Sequence, residues 1–258
     1  MSYTSTELMV TAAAKELHDG ETAFVGIGVP MLTCNLAKST HAPNLELVYE
    51  SGVVGAPIST GGVPTSIADP KLASDSTGIY PMYEGFSRVL QGGRIDVGFL
   101  GGAQVDRWGN INSTVIGEYD DPEVRFPGSG GACEIACNAG RFMIITPHER
   151  RRFPETVDFV TSPGHVDGQG GRERHGLQGG GPSTVITDKA VMRFDDAGEM
   201  YVEKLHPGVT RAEVQEATGW ELPFADDVGE TTEPTPEEVR LIRDVLDPDR
   251  IYIDVPEE

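Results

Sequence analysis

The chain has 258 residues and is strongly acidic, with 41 Asp and Glu against 20 Lys and Arg and a net charge of −21. Repulsion between this charge and phosphate groups excludes nucleic acid and anionic membranes as expected partners. No apolar run is long enough for a transmembrane helix, and the N-terminus lacks the features of a secretory signal, so we expect a soluble, cytoplasmic protein.

The acidic residues are spread along the whole chain instead of being collected in a tail. We therefore expect an acidic, solvated surface of the kind that halophilic proteins have. Because added cations screen repulsion between like charges, folding stability should rise when KCl is raised from low to multimolar concentration. Thermal unfolding measures this, and full stability at low salt would contradict the expectation.

Apolar residues recur at helical spacing in some segments and form short β-prone runs in others. In chain order the sequence predicts a helix at 4–19, a strand at 22–27, a helix at 30–37, a strand at 45–49, a helix at 82–90, a strand at 95–100, a helix from 132, a strand at 141–146, a hairpin over 184–203, and helices at 210–218 and 235–246. Ser5 or Thr6 is the expected N-cap of the first helix, and Thr210 with Glu213 forms a capping box.

This alternation of helices and strands is typical of an α/β fold with an open, largely parallel sheet and helices on both faces, followed here by a C-terminal hairpin and helices. We expect a single domain over 1–258. Two long segments, 51–81 and 163–182, are rich in Gly and lack a core-forming period, so they are predicted as loops. Loops of this length are usually functional or disordered.

Three cysteines, Cys34, Cys133 and Cys137, do not suggest a disulfide framework. Cys133 and Cys137 are four residues apart and would share one face of a helix. Because no His or Asp stands nearby at ligand spacing, we favour buried small residues over a metal site.

The first candidate for chemistry is Glu50, which ends the predicted strand at 45–49 within the segment 45–59. Small and turn-forming residues follow it at once. In α/β proteins ligands bind at the carboxyl ends of strands, and missing side-chain bulk lets a substrate approach closely. A solvated glutamate that merely ends a surface strand is the alternative interpretation.

A second candidate is the glycine cluster Gly128, Gly130 and Gly131, which precedes the helix predicted from Ala132. Glycines at a helix start expose backbone N–H groups towards an anion. An ordinary glycine-rich turn would explain the same pattern. The basic run at 150–152 is typical of a solvated face.

Four blocks, in this order and at this spacing, resemble the β subunit of family I CoA-transferases, in particular that of glutaconate CoA-transferase. They are ESG at 50–52, GGAQVDRWGNINST at 101–114, RFPGSGGA at 125–132 and TSPGHVDGQGGRERHGL at 161–177. The likeness extends over nearly the whole chain. It implies a CoA-transferase β-subunit domain with the open α/β fold of that family.

The resemblance implies that Glu50 is the nucleophile of a ping-pong reaction. Its carboxylate attacks an acyl-CoA thioester, and a glutamyl-CoA thioester then passes CoA to an acceptor acid. Backbone N–H groups around Gly130 and Gly131, in a loop with Gly128 and Ala132, would stabilise the oxyanion or contact CoA. Candidates for substrate contacts in neighbouring loops are Ser51, Gly52, Gly101, Gly102 and Gln104.

Coenzyme A is a substrate in this scheme, and neither a metal nor an organic cofactor is implied. A homologous α subunit is the implied partner, in an αβ hetero-oligomer or a multiple of it. The acyl group stays open: a dicarboxylate or short acid, a 3-oxoacid or an aromatic acid all fit. Arg172 and Arg174 either pair with a carboxylate or phosphate or have a solvated or structural role.

Two other functions stay open. A hydrolase on the same scaffold, of the ring-opening type found in steroid degradation, would use water as the acceptor. A non-catalytic subunit would only complete the pocket of another chain. The presence of Glu50 favours transfer over both.

Overall fold

The protein is described by a computed structural model that covers residues 2–58 and 61–253. Ser59, the end of the segment with Glu50, lies outside the described residues. The chain forms two compact units. Unit 1 comprises the residues up to Phe99 together with those from Thr232 on, and unit 2 comprises Leu100–Thr231. The single domain over 1–258 stays a prediction.

Short helices and strands alternate along the chain. The helices are α1 (Ser5–Ala14), α2 (Val29–Ser39), α3 (Pro70–Ala73), α4 (Met82–Glu84, continued as a π-helix over Gly85–Leu90), α5 (Ala132–Asn138), α6 (Gly171–Arg174), α7 (Arg211–Glu216) and α8 (Pro236–Arg240, continued as a π-helix over Leu241–Leu246). The strands are β1 (Thr22–Val25), β2 (Glu46–Tyr49), β3 (Val53–Val54), β4 (Gly78–Ile79), β5 (Val97–Leu100), β6 (Gln104–Val105), β7 (Ile111–Asn112), β8 (Val115–Gly117), β9 (Pro122–Arg125), β10 (Arg141–Ile145), β11 (Pro182–Ile186), β12 (Ala190–Phe194), β13 (Met200–Leu205) and β14 (Phe224–Glu230).

Unit 1 has the strand order β5-β1-β2-β3-β4. β1 pairs in parallel with β2 and with β5, which places Ala23 opposite both Leu47 and Val97. β3 and β4 continue the sheet in antiparallel orientation. The parallel strands β1, β2 and β5 are almost entirely buried. This explains their nearly unbroken apolar sequences, since a strand covered on both faces has no side that favours polar residues.

Unit 2 has the strand order β14-β13-β12-β11-β10. β10 and β11 are parallel, β11, β12 and β13 are antiparallel, and β13 and β14 are parallel. The predicted hairpin over 184–203 is confirmed, and its turn is closed by the hydrogen bond from Gly198 N to Asp195 O. The predicted α/β class, with parallel strand pairs and helices, is therefore confirmed.

The N-cap of α1 is Thr4, so the prediction of Ser5 or Thr6 was wrong. Thr4 Oγ1 accepts from the backbone N–H of Glu7, and the Glu7 carboxylate accepts from Thr4 N at 2.7 Å. Only Thr4 has a glutamate three residues later, as this reciprocal arrangement requires. Glu7 is fully buried and also binds both Nε and Nη2 of Arg243, which fastens α1 to the C-terminal helix.

The two predicted loops contain short elements that sequence periodicity missed. Segment 51–81 holds β3, α3 and β4, and segment 163–182 holds α6. Elements of two to four residues are too short to show a repeat. The strands β9 and β14 were missed for another reason, since both are largely exposed and β14 is rich in acidic residues.

The acidic residues of the described chain lie mostly at its surface, and the buried ones among them are Glu7, Asp106 and Asp247. Cys34 is buried. Cys133 and Cys137 are only half-buried, because α5 leaves part of their face exposed, so that prediction was wrong for them. Within 2–58 and 61–253 no three His, Cys, Asp or Glu side chains form a metal-binding group, and no helix there has the length and hydropathy to cross a membrane.

A buried histidine lies in unit 2 between two threonines. His148 Nδ1 lies 3.2 Å from Thr187 Oγ1 and its Nε2 lies 3.0 Å from Thr218 Oγ1, while its ring packs on Phe153. Burial lowers the pKa of His148 from 6.5 to about 4, because the charged imidazolium would lose its water. His206 is buried in the same unit, and burial shifts its pKa in the same direction.

Because burial lowers the pKa of His148, we expect the folded protein to lose stability in acid. The unfolded chain binds a proton on His148 below pH 6.5, whereas the folded chain binds it only near pH 4. The contribution of neutral His148 is therefore complete above pH 6.5 and falls by up to about 3 kcal/mol as the pH drops to 4. Urea unfolding at pH 7, 6 and 5 should show a smaller pH slope in His148→Gln than in the wild type. Equal slopes would contradict the assignment.

Candidate active site

Glu50 follows β2 directly, in a turn closed by the hydrogen bond from Gly52 N to Tyr49 O at 2.8 Å. Its side chain is half-buried, and its carboxylate makes no hydrogen bond or ion pair with the residues that the structure describes. Desolvation raises the pKa of the Glu50 carboxyl above its ordinary value. A carboxylate that is partly stripped of water and unpaired keeps its lone pairs available to an electrophile.

The residues after Glu50 pack against the neighbouring strand. Gly52 has φ +95°, and a Cβ atom there would lie 1.9 Å from the backbone oxygen of Tyr80. Tyr80 N in turn donates to Gly52 O at 2.9 Å. The missing side chain at Gly52 is thus required by the close approach of the backbone after β4. Ser51 Oγ is buried and has no hydrogen-bond partner among the described residues.

The second candidate is the loop before α5 in unit 2. Gly128 and Gly130 have positive φ angles, +98° and +50°, and no atom lies within 4 Å of the position that a Cβ atom would take at either glycine. The loop is tied to Ser113, which donates through Oγ to Gly128 O and accepts from Gly128 N through its backbone oxygen. Ala132 begins α5. The N–H groups of Gly130 and Gly131 have no acceptor among the described residues, so they can donate to an anion.

Gly101 and Gly102 follow β5. A Cβ atom at Gly101 would lie 3.2 Å from the Ile145 oxygen, and one at Gly102 would lie 2.4 Å from the Ile111 side chain. Both glycines therefore allow close internal packing.

Gln104 is buried and its amide is already bonded. Its Nε2 donates to Asp158, and its Oε1 accepts from Asn112 Nδ2 at 2.7 Å and from Asp158 N at 3.0 Å. This side chain holds the scaffold around the site.

The residues 106–110 (DRWGN) connect the sequence block 101–114 to the block 161–177 through hydrogen bonds. Asp106 accepts from Trp108 N, from Asn110 N and from Asn110 Nδ2, all at 3.0 Å. Asn110 Oδ1 accepts from Gly164 N, and Asn110 Nδ2 donates to Val166 O. This block is therefore mainly structural, since its polar groups bond the chain itself.

Arg172 also has a structural role. It is 8% exposed, and its guanidinium donates to the backbone oxygens of four residues: Gly179, Pro163, Gly164 and Ala136. Arg174 is exposed and pairs with Asp167 at 2.6 Å. Of the two roles left open for Arg172, ligand binding or a structural role, the structure therefore supports the structural one: Arg172 holds the glycine-rich segment 163–182 against α5.

One groove in unit 2 brings predicted site residues together. Gly102, Gln104 and Gly128 line a groove of about 530 Å³. Sequence analysis missed its other walls, because the β8–β9 hairpin was not predicted and the basic run at 150–152 was interpreted as a solvated face. Glu50, Ser51 and Gly52 lie in unit 1.

Comparison with known proteins gives consistent results over most of the chain. The family model described as Coenzyme A transferase matches residues 6–217. The chain is 48% identical to the β subunit of 3-oxoadipate CoA-transferase from Pseudomonas knackmussii, over 94% of this chain and 93% of that protein. It is 39% identical to the β subunit of glutaconate CoA-transferase from Acidaminococcus fermentans, over 100% of this chain and 97% of that protein.

The structural similarity is equally extensive. The crystal structure of glutaconate coenzyme A-transferase from Acidaminococcus fermentans superposes with a TM-score of 0.92 and 37% identity, covering 99% of both chains. A more distant relative is the cholesterol ring-cleaving hydrolase IpdB subunit of Rhodococcus jostii, 31% identical over 85% of this chain and 82% of that protein.

Proposed function

Because the chain belongs to the coenzyme A transferase family and corresponds to the β subunit of its two-subunit enzymes, we propose that it transfers CoA between an acyl-CoA and a free carboxylate through Glu50. The observation that supports this most is the half-buried, unpaired Glu50 carboxylate at the end of β2. A scaffold subunit would have no use for a desolvated carboxylate without a partner, since burying such a group is costly.

The reaction begins with attack by a Glu50 oxygen on the thioester carbonyl. The C–S bond breaks, which gives an acyl–glutamyl anhydride and CoA thiolate. The thiolate attacks the glutamyl carbonyl, so that the first acid leaves as a carboxylate and Glu50 carries CoA as a thioester. The acceptor carboxylate then attacks this thioester and forms a second anhydride, and the released thiolate takes the new acyl group and frees Glu50.

The environment of Glu50 suits this chemistry. A carboxylate in water is a weak nucleophile, and partial burial removes some of the hydration that weakens it. The turn between Tyr49 and Gly52 holds its backbone in place, which favours a productive approach to the thioester.

Each attack on a carbonyl places negative charge on its oxygen. The family resemblance implies the N–H groups of Gly130 and Gly131 as donors to such an oxyanion, and their lack of an acceptor among the described residues supports this role. One such donor is typically worth about 3 to 4 kcal/mol of transition-state stabilisation. CoA takes part as a substrate, and the mechanism uses no other cofactor.

The relatives suggest the substrates and the partner. Both transferase relatives are β subunits of enzymes named for dicarboxylates, 3-oxoadipate and glutaconate. We therefore include a short dicarboxylic acyl group and a homologous α subunit in the proposal. A cytoplasmic location belongs to the same proposal.

Trapping the covalent intermediate tests the mechanism. The chain is co-expressed with its α partner, incubated with glutaryl-CoA in the absence of an acceptor, and treated with borohydride. A glutamyl-CoA thioester would be reduced, activity would be lost, and the mass change would fall on the peptide that contains Glu50. Full activity after this treatment would contradict the mechanism.

The hydrolase is the second candidate, and the similarity to the ring-cleaving hydrolase subunit favours it. Product formation with and without added acetate separates the two functions. A transferase needs the added carboxylate for turnover, whereas a hydrolase releases the acid equally fast in its absence.

A further inference from the structure

Two thiols meet on one face of α5 in unit 2. Cys133 and Cys137 are both half-buried, and neither forms a disulfide. They are four residues apart in this helix, the spacing at which side chains lie above one another. The Cys137 thiol is hydrogen-bonded to the Cys133 thiol. The two sulfur atoms are thus direct neighbours on a helix face that is partly open to solvent.

The surroundings of α5 hold the two thiols in this position. Ala136, between the two cysteines, is fully buried. Its backbone oxygen accepts from Arg172 Nη2 at 2.8 Å. The backbone oxygen of Cys137 accepts from Gly179 N at 2.7 Å. Because α5 is fixed against the segment 163–182 by these bonds, the thiol pair is already arranged for a ligand.

A disulfide does not fit this helix, whereas a single bridging atom does. Cβ atoms four residues apart in a helix are separated by about 5 to 6 Å, but a disulfide requires roughly 3.5 to 4.5 Å. Two metal–thiolate bonds of about 2.3 Å in line place their sulfur atoms roughly 4.6 Å apart. The pair therefore suits a metal ion held between the sulfur atoms.

The number of ligands selects the metal. Structural zinc sites use four protein ligands. In the described ranges 2–58 and 61–253, no third His, Cys, Asp or Glu joins the pair to form a larger group. Thiolates select soft ions, among them monovalent copper, Cu(I). Two thiolates in line are sufficient for Cu(I) and insufficient for Zn²⁺.

We propose that Cys133 and Cys137 form a binding site for one Cu(I) ion. The inference goes beyond the proposed function and does not depend on it. On binding, both S–H bonds break, two S–Cu bonds form, and the two protons pass to solvent without any change of oxidation state. Two thiolates and one Cu(I) carry a single negative charge. The Arg172 guanidinium, which interacts electrostatically with Cys137, offsets part of it.

The released protons make this binding pH-dependent. Burial, followed by the neighbouring Cys133 thiol, raises the pKa of the Cys137 thiol to about 11. Among the charged groups that face it, Arg172 opposes this shift and Glu134 adds to it. The Cys137 thiol is therefore protonated at neutral pH, and Cu(I) must displace its proton. The affinity for Cu(I) should rise steeply from pH 6 to pH 8.

The test is an anaerobic titration of the co-expressed complex with Cu(I), in competition with the chelator bicinchoninate. The wild type should bind one more Cu(I) per chain than the double variant Cys133→Ser/Cys137→Ser. Each single variant should bind this ion at least about a hundredfold more weakly, because one of the two metal–sulfur bonds is lost.

The chain offers two matched controls. Cys34→Ser removes a thiol that is fully buried in unit 1, so it should bind Cu(I) like the wild type. Cys137→Ser combined with Asn138→Cys keeps the number of thiols but places the second one about 140° around the helix from the first. This variant should bind Cu(I) as weakly as Cys137→Ser alone.

A further measurement uses the wild type only. Bound Cu(I) should protect Cys133 and Cys137 from alkylation by iodoacetamide, as mass spectrometry of their peptide shows, and excess bicinchoninate should restore the alkylation. Equal affinity of the wild type and the double variant would overturn the inference, as would unchanged alkylation or tight binding by the variant with the displaced thiol. None of these measurements uses CoA transfer, so a failure of the proposed function would leave their outcome unaffected.

Discussion

Replacing Glu50 with alanine is expected to lower kcat/KM for CoA transfer at least about a thousandfold, because the covalent route has then lost its nucleophile. Since the carboxylate bonds none of the described residues, its removal should change the free energy of unfolding by less than about 1 kcal/mol. Loss of activity with an unchanged melting temperature would separate a chemical role from a structural one.

The length of the side chain provides a finer test. Glu50→Asp keeps the charge but withdraws the carboxylate by one methylene group, and a displacement of about 1 Å can cost about a hundredfold in rate. Glu50→Gln keeps the shape and removes the charge, so it should be as inactive as the alanine variant. Steady-state kinetics of the co-expressed complex measures both variants.

Glu46→Gln is the control for these substitutions. Glu46 is also half-buried and begins the strand that Glu50 follows, yet it lies at the opposite end of β2. Its activity should match the wild type. Turnover by Glu50→Ala at the wild-type rate would remove the basis for transfer through this residue.

Gly52→Ala is expected to destabilise the protein by at least about 3 kcal/mol and to reduce activity as well. The new methyl group would lie 1.9 Å from Tyr80 O, and a backbone oxygen cannot move aside as a flexible side chain can. The φ angle of +95° adds strain for any residue with a Cβ atom. Because Gly52 closes the turn that holds Glu50, relief of the clash would also move the nucleophile.

The matched control for this prediction is Gly20→Ala. Gly20 has φ +84°, close to that of Gly52, but no atom lies within 4 Å of its Cβ position. Its substitution should cost only about 1 kcal/mol through backbone strain. Thermal or urea unfolding compares the two variants. Equal destabilisation would show that the clash with Tyr80 O does not contribute to the free energy of unfolding.

The accuracy of the sequence predictions depended on how local each signal was. The capping box at Thr210 is confirmed, because both of its partners lie within four residues. The buried parallel strands were predicted from unbroken apolar runs. The two-residue strands β3 and β4 were missed, since they form only by pairing with β2 and with each other.

The candidate site divides in the same way. Glu50 was recognised from a carboxylate at a strand end, and the glycine loop from a cluster before a helix. Gln104 and Arg172 were also candidates for substrate contacts, but the structure shows that their polar atoms are bonded to other residues of the chain. Their partners lie between 7 and 54 residues away in sequence, so no local pattern reveals that those groups are already occupied.

The amino-acid sequence by itself determined the α/β class, the family resemblance and the identity of the candidate nucleophile, because periodicity and motif spacing are properties of neighbouring residues. Tertiary structure decided that Glu50 is half-buried and unpaired, that Gly52 must lack a side chain because Tyr80 packs on it, and that Arg152 faces an apolar groove. Burial and contact arise only when segments distant in the chain meet, and they set the solvation and pairing on which the chemistry depends.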